Sequence, residues 1–213
     1  MTFRLPAILL ATAASLHAQD ITWSENLLIP DGDPSGLALT RTVGIPMPQP
    51  ARIGVWLETK GGWNGDLYAW LAHDTGFSIL LNRPGRSQSM LDGYPGSGMA
   101  LSLLDSAAAD VHLYELSTPA GSEPSGWWQP DGRTTSPFDV TGTDSRTAML
   151  SSFQGLDPSG DWTLFIADLV PGEQATLVSW GLYFNPVPEP TIMGLLVAAG
   201  LVVRSRRTRR RRP

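Results

Sequence analysis

Two runs near the end of this chain constrain its fold more than any others. Between Asp161 and Asp168, Trp162, Leu164 and Ile166 alternate with Thr163, Phe165 and Ala167. Between Ala175 and Phe184, Thr176, Val178, Trp180, Leu182 and Phe184 share one face. Side chains repeating every second residue lie on one side of an extended strand, so both runs predict β-strands, joined as a hairpin through Pro171-Gly172-Glu173. Two such apolar faces need a second sheet to cover them, which predicts a sandwich.

The chain upstream supplies the partners. Ile29 to Gly36 is dense in turn formers, and Pro46, Pro48 and Pro50 block a helix and argue against a central strand there. Strands are expected where Ile53, Val55 and Leu57 alternate, over Leu67–Ala72, Phe77–Leu81, Met99–Leu104 and Val111–Leu116, with turns at Asn82-Arg83-Pro84-Gly85 and Asp92–Gly96. The stretch from Ser117 to Gly142 reads as loop and carries Trp127 and Trp128. No window has a helical period. The fold class expected is all-β, an antiparallel jelly-roll β-sandwich.

The two ends carry a different kind of information. Residues 1–18 have Arg4, an apolar run from Leu5 to Leu16 and Ala18, the layout of a secretory signal peptide. At the other end Pro188-Glu189-Pro190 precedes an uncharged apolar run, Ile192–Val203, and seven arginines between Arg204 and Arg212. As a helix that run spans roughly 18 Å, against a hydrocarbon core of roughly 30 Å, which suits a temporary halt in a membrane better than a lasting anchor. A cationic cluster beside an apolar helix stays on the cytoplasmic side, so topology accounts for the arginines and no nucleic-acid partner is expected. The division expected is a signal peptide over 1–18, an N-terminal lead-in over 19–28, the sandwich over 29–185 and a sorting segment over 186–213.

Without its ends the chain is strongly acidic. Residues 19–186 hold 19 Asp or Glu against 7 Lys or Arg, a net charge of −12 where the whole chain has −5. That balance disfavours nucleic acid and anionic surfaces and suits cations or basic partners. There is no cysteine, so an exported domain of this size has to rest on its core, for which eight tryptophans are available.

Two resemblances follow from these residues. Pro188-Glu189-Pro190, a short apolar helix and a terminal arginine cluster together resemble the PEP-CTERM sorting signal of Gram-negative bacteria that make exopolysaccharide. That resemblance implies processing by a membrane exosortase, transient insertion in the inner membrane, and release to the cell surface, outer membrane or extracellular matrix. The second covers roughly Ile29 to Phe184. The order Ile53-Gly54-Val55-Trp56-Leu57, Gly65-Asp66-Leu67, Leu80 to Gly85, Leu104 to Ala107, Phe153-Gln154-Gly155, Gly160 to Leu164 and Leu177 to Leu182 resembles the P domain, or Homo B domain, of subtilisin-like proprotein convertases. The resemblance implies a jelly-roll module that stabilises or regulates a protease, often helped by calcium. No subtilisin-like catalytic sequence accompanies it in these 213 residues.

Chemistry is sparse. A serine protease needs a nucleophile, a His base and an orienting carboxylate. Beyond the signal peptide only His73 and His112 remain, and neither sits in a subtilisin-like motif; no Gly-x-Ser-x-Gly elbow occurs either. His73 reads as a strand-end residue, and His112 as a strand residue facing solvent or making one hydrogen bond. No catalysis is expected. Calcium takes six to eight oxygen ligands, and Asp66, Asp105, Asp110, Asp161 and Asp168 are the candidates, being carboxylates at strand ends within the family-like motifs. The competing reading is that each bonds a backbone N–H of its own turn. Trp63, Trp127 and Trp128, in Gly- and Pro-rich loops, could stack on sugars, whereas Trp162 and Trp180 belong to a core. The function expected is an exported, non-catalytic interaction or structural module; the alternatives are a regulatory module for a serine-type endopeptidase supplied in trans, and a matrix adhesin that binds exopolysaccharide.

Overall fold

The computed structural model describes residues 19–44 and 50–186. The expected signal peptide, the prolines at 46 and 48, and the sorting residues Pro188, Glu189 and Pro190 with the helix after them lie outside the described residues. Nine strands and three short 3-10 helices follow one another: β1 (Gln19–Leu28), β2 (Leu37–Val43), β3 (Pro50–Gly61), η1 (Asn64–Asp66), β4 (Leu67–His73), β5 (Gly76–Asn82), β6 (Met99–Leu103), η2 (Val111–Leu116), β7 (Ser125–Trp128), η3 (Leu150–Phe153), β8 (Gly160–Asp168) and β9 (Ala175–Pro186). They form two sheets, β1-β9-β3-β6-β7 and β2-β8-β4-β5, so the sandwich anticipated from the alternation is the fold. Among the described residues no helix is long and apolar enough to cross a membrane.

The predicted hairpin of β8 and β9 does not form. β8 pairs with β2 and β4, and β9 with β1 and β3, so the two strands lie in different sheets. The physical reason is burial. Trp162, Leu164 and Ile166 on β8 and Trp180, Leu182 and Phe184 on β9 are all buried, and a crossover lets the two apolar faces meet rather than stand side by side. Trp162 accordingly packs edge-on against Phe184, ring centroids 5.8 Å apart. A register shift between Glu58 and Thr59, paired with Ser179 and Leu177, leaves Val178 as the extra residue of a bulge. Leu177, not Val178, therefore takes the inward place.

Three other expectations change. The 19–28 lead-in is β1, an edge strand hydrogen-bonded along β9. Val111–Leu116 is not a strand but η2, whose start is fixed by the Asp110 side chain accepting from the His112 N–H at 2.9 Å. Val111 and Tyr114 are both buried, an i, i+3 spacing that a 3-10 turn also satisfies, so the apparent alternation was ambiguous. Trp127 and Trp128 sit on β7, which runs parallel to β6 after a connection long enough for a crossover. Pro50 opens β3, where a strand tolerates proline.

Candidate functional site

The GDL motif and the end of β8 meet at one end of the four-stranded sheet. η1 delivers Asp66 to the start of β4, and Leu67 pairs with Asp168 in the β4–β8 ladder, which brings the two aspartates together. The Asp66 carbonyl also accepts from the Leu169 N–H at 2.9 Å. Both carboxylates are buried. Arg83, in the turn after β5, reaches back to them: Nε donates to the Gly65 carbonyl at 2.9 Å and Nη2 lies 3.4 Å from Asp66 Oδ1. Its backbone takes a left-handed φ of 49°, with its N–H donating to the Leu67 carbonyl at 2.9 Å.

Burial and neighbouring carboxylates set the electrostatics of the pair. Asp66 is pushed up to about 6 by burial first and by Asp168 second, with Arg83 opposing. Asp168 is also pushed up to about 6, by burial first and, against hydrogen bonds from Val170 and Ala175 and the Arg83 charge, by the carboxylate of Asp31. Asp168 Oδ1 accepts weakly from the Val170 N–H at 3.4 Å, while the buried Oδ2 has no partner. A buried carboxylate oxygen without a donor is costly. A proton on Asp168 would satisfy it; a calcium ion, which takes six to eight oxygens, would find two buried carboxylates here, one of them already engaged by Arg83.

The other three calcium candidates are scattered and engaged. Asp105 accepts from Leu150 N at 3.0 Å and Ser151 N at 2.7 Å, at the start of η3. Asp110 caps η2 and pairs with Arg133 at 2.7 Å. Asp161 is exposed and accepts from Thr42 Oγ1 at 2.6 Å. Among the described residues no group of three or more His, Asp or Glu could hold a metal ion.

The histidines are structural in placement. His73 ends β4 as expected and is buried, stacked on Trp162 with ring centroids 4.1 Å apart. Its Nδ1 and Nε2 face the carbonyls of Asp161 and Asp157 at 2.9 and 2.7 Å. His112 departs from expectation: it is fully buried, with Nδ1 2.8 Å from Asp131 Oδ2 and Nε2 3.1 Å from the Arg86 carbonyl. A His–Asp contact is also how a triad orients its base. Here the second ring nitrogen faces a carbonyl, so no hydroxyl stands where a nucleophile would. Asp131 also receives Arg133, which continues to Asp110 and to the Gly142 carbonyl. This buried network locks the long loop after β7 onto η2. Sequence reading missed it because Asp131 and Arg133 lie in the stretch from Ser117 to Gly142, which has no periodicity and reads as loop.

Of the three candidate sugar-stacking tryptophans, Trp128 is buried and donates Nε1 to the Ser125 carbonyl at 2.9 Å. Trp63 and Trp127 are exposed, 40% and 61%. Trp162 and Trp180 are fully buried, as a core assignment requires.

Fold and site together define an all-β sandwich whose ionisable groups are built into its frame. Residues 131–184, which run from the buried Asp131 through β8 and β9, match the proprotein convertase P-domain family. That span includes the Gly160–Leu164 and Leu177–Leu182 runs on which the resemblance rested. No curated protein matches the chain. Among solved structures the chain is similar to the serine protease of Aeromonas sobria, alone (TM-score 0.41) and in complex with its chaperone ORF2 (TM-score 0.42), at 16% identity in both. Each match covers 79% of this chain and 26% of that one, so the chain spans about a quarter of the length of those proteases.

Proposed function

We propose that this chain is an exported, non-catalytic P-type β-sandwich that acts at the cell surface or in the extracellular matrix as an interaction or structural module. The observation that carries the reading is the P-domain match over residues 131–184, in a sandwich whose two described histidines are both tied into buried contacts. Export rests on the layout of residues 1–18, and sorting on Pro188-Glu189-Pro190, the apolar run and the arginine cluster, which together suit an exosortase-type processing enzyme. Fractionation of cells carrying a tag in an exposed turn tests it: the tag belongs in the surface or medium fraction. Replacing Pro188, Glu189 and Pro190 with alanine should hold it in the inner membrane. A tag that stays in the cytoplasm contradicts the reading.

The family match also favours a second role, stabilising or regulating a serine-type endopeptidase supplied in trans. In either role a calcium ion held by Asp66 and Asp168 would satisfy the Asp168 carboxylate oxygen that has no partner. Melting of the purified chain in millimolar calcium and in EDTA tests that point. A higher Tm with calcium, lost in Asp168→Asn, supports the ion, and equal melting removes it.

A further inference from the structure

Among the described residues, one face of the sandwich carries aromatic rings that do not belong to the core. On the outer side of the five-stranded sheet, register places Thr22, Gly181, Trp56, Ser102 and Trp127 in one row across β1, β9, β3, β6 and β7. Tyr183, paired with Gly54, stands in the adjacent row. A Cβ on Gly54 would meet Tyr183 Cδ2 at 3.0 Å, so the tyrosine ring lies over the bare glycine backbone. Trp127 packs beside it, centroids 6.0 Å apart. Trp56 is pinned by its edge, Nε1 donating to Ser179 Oγ at 2.9 Å, and that hydroxyl donates in turn to Glu58 Oε2 at 3.0 Å. The Tyr183 hydroxyl is 3.4 Å from Ser102 Oγ.

Three aromatic rings thus flank small residues, and hydroxyls and one carboxylate are fixed among them. Charge narrows what can cover this face. Asp20 and Glu58 stand with Arg52 and Lys60 on its rows, two charges of each sign, although residues 19–186 carry −12 overall. A polyanion is repelled by the molecule, and a polycation finds denser acidic surface elsewhere. The complement of an aromatic, hydroxyl-bearing and charge-balanced surface is an uncharged chain with C–H faces and hydroxyl edges.

We propose that the Trp56–Tyr183–Trp127 face binds a neutral polysaccharide, the pyranose faces stacking on the rings and the sugar hydroxyls bonding to Ser102, Tyr183 and Glu58. The inference rests on reading the chain as an interaction module and names its ligand class and site. Unlike the loop tryptophans suggested by sequence, these rings come from three strands, and only Trp127 belongs to both sets.

Affinity electrophoresis of the purified chain through gels containing hydroxyethylcellulose, laminarin, dextran or galactomannan is the test, with alginate as the anionic control. Retardation by at least one neutral polymer is expected, weakened at least tenfold by Trp127→Ala and unchanged by Trp63→Ala, which removes another exposed indole. Trp127 is exposed enough for its alanine variant to keep the wild-type melting temperature, which is measured alongside. No retardation by any neutral polymer, retardation by alginate alone, or unchanged binding in Trp127→Ala overturns the proposal. So does sedimentation showing that the face joins two copies of the chain in a dimer that Trp127→Ala dissolves. None of these failures touches the module reading, which stands or falls on localisation and on the absence of hydrolysis.

Discussion

Trp180 shows how one side chain serves packing and polarity together. Its ring is fully buried against Trp23, centroids 4.5 Å apart, and its Nε1 donates to Glu25 Oε1 at 3.0 Å. Glu25 is itself nearly buried and paired with Arg41 at 2.6 Å. Trp180→Ala opens a cavity and removes that donor, and is expected to cost about 3–5 kcal/mol in denaturant unfolding; a change too small to detect contradicts the register. Asp168→Asn should act the other way. A carboxyl whose folded pKa is raised contributes stability that is complete below about pH 4 and lost as pH rises through about 6. In EDTA the wild type should therefore melt higher at pH 5 than at pH 7, and the asparagine variant should melt higher than wild type at pH 7 with a flatter profile. A lower Tm for the variant under those conditions contradicts the cost of burying a charged Asp168. The aspartates were legible in sequence as strand-end carboxylates, but Arg83 was not, because only the folded turn after β5 brings its guanidinium to Asp66.

At the scale of elements, the strands that alternate were legible and their partners were not. Trp162 to Ile166 and Trp180 to Phe184 announce two strands with apolar faces, but alternation says nothing about which neighbour a strand chooses. β8 and β9 separate into two sheets because facing burial satisfies both runs at once. η2 was misread for a related reason: six residues are too few to distinguish a period of two from a period of three, and the decisive group, the Asp110 side chain, lies just outside them. Close approaches between elements also depend on residues that carry no periodic signal. Gly76, at the start of β5, faces Phe153 of η3 so closely that any Cβ would enter the phenylalanine ring. Gly76→Ala is expected to cost about 1–3 kcal/mol by overpacking, read as a lower urea midpoint with unchanged slope. An unaltered midpoint would mean that η3 is free to move away from β5.

For the whole molecule, composition pointed to an acidic domain held by its core and left the outer side of the five-stranded sheet unseen. An acidic, cysteine-free domain rich in tryptophan has to be held by its core, and the core does run through both sheets, from Val55 and Leu57 to Leu71 and Trp162. What composition cannot convey is how rows of residues far apart in sequence line up on one face, as Trp56, Ser102 and Trp127 do across β3, β6 and β7. The central claim is that this sandwich works by contact and performs no proteolysis itself. Casein hydrolysis by the purified chain, read alongside labelling by a fluorophosphonate probe, tests that most directly. The account predicts hydrolysis no faster than buffer and no labelled band, with or without calcium. Steady hydrolysis with a labelled band at the mass of the chain, abolished in His112→Ala and unaffected by contaminant controls, would contradict it.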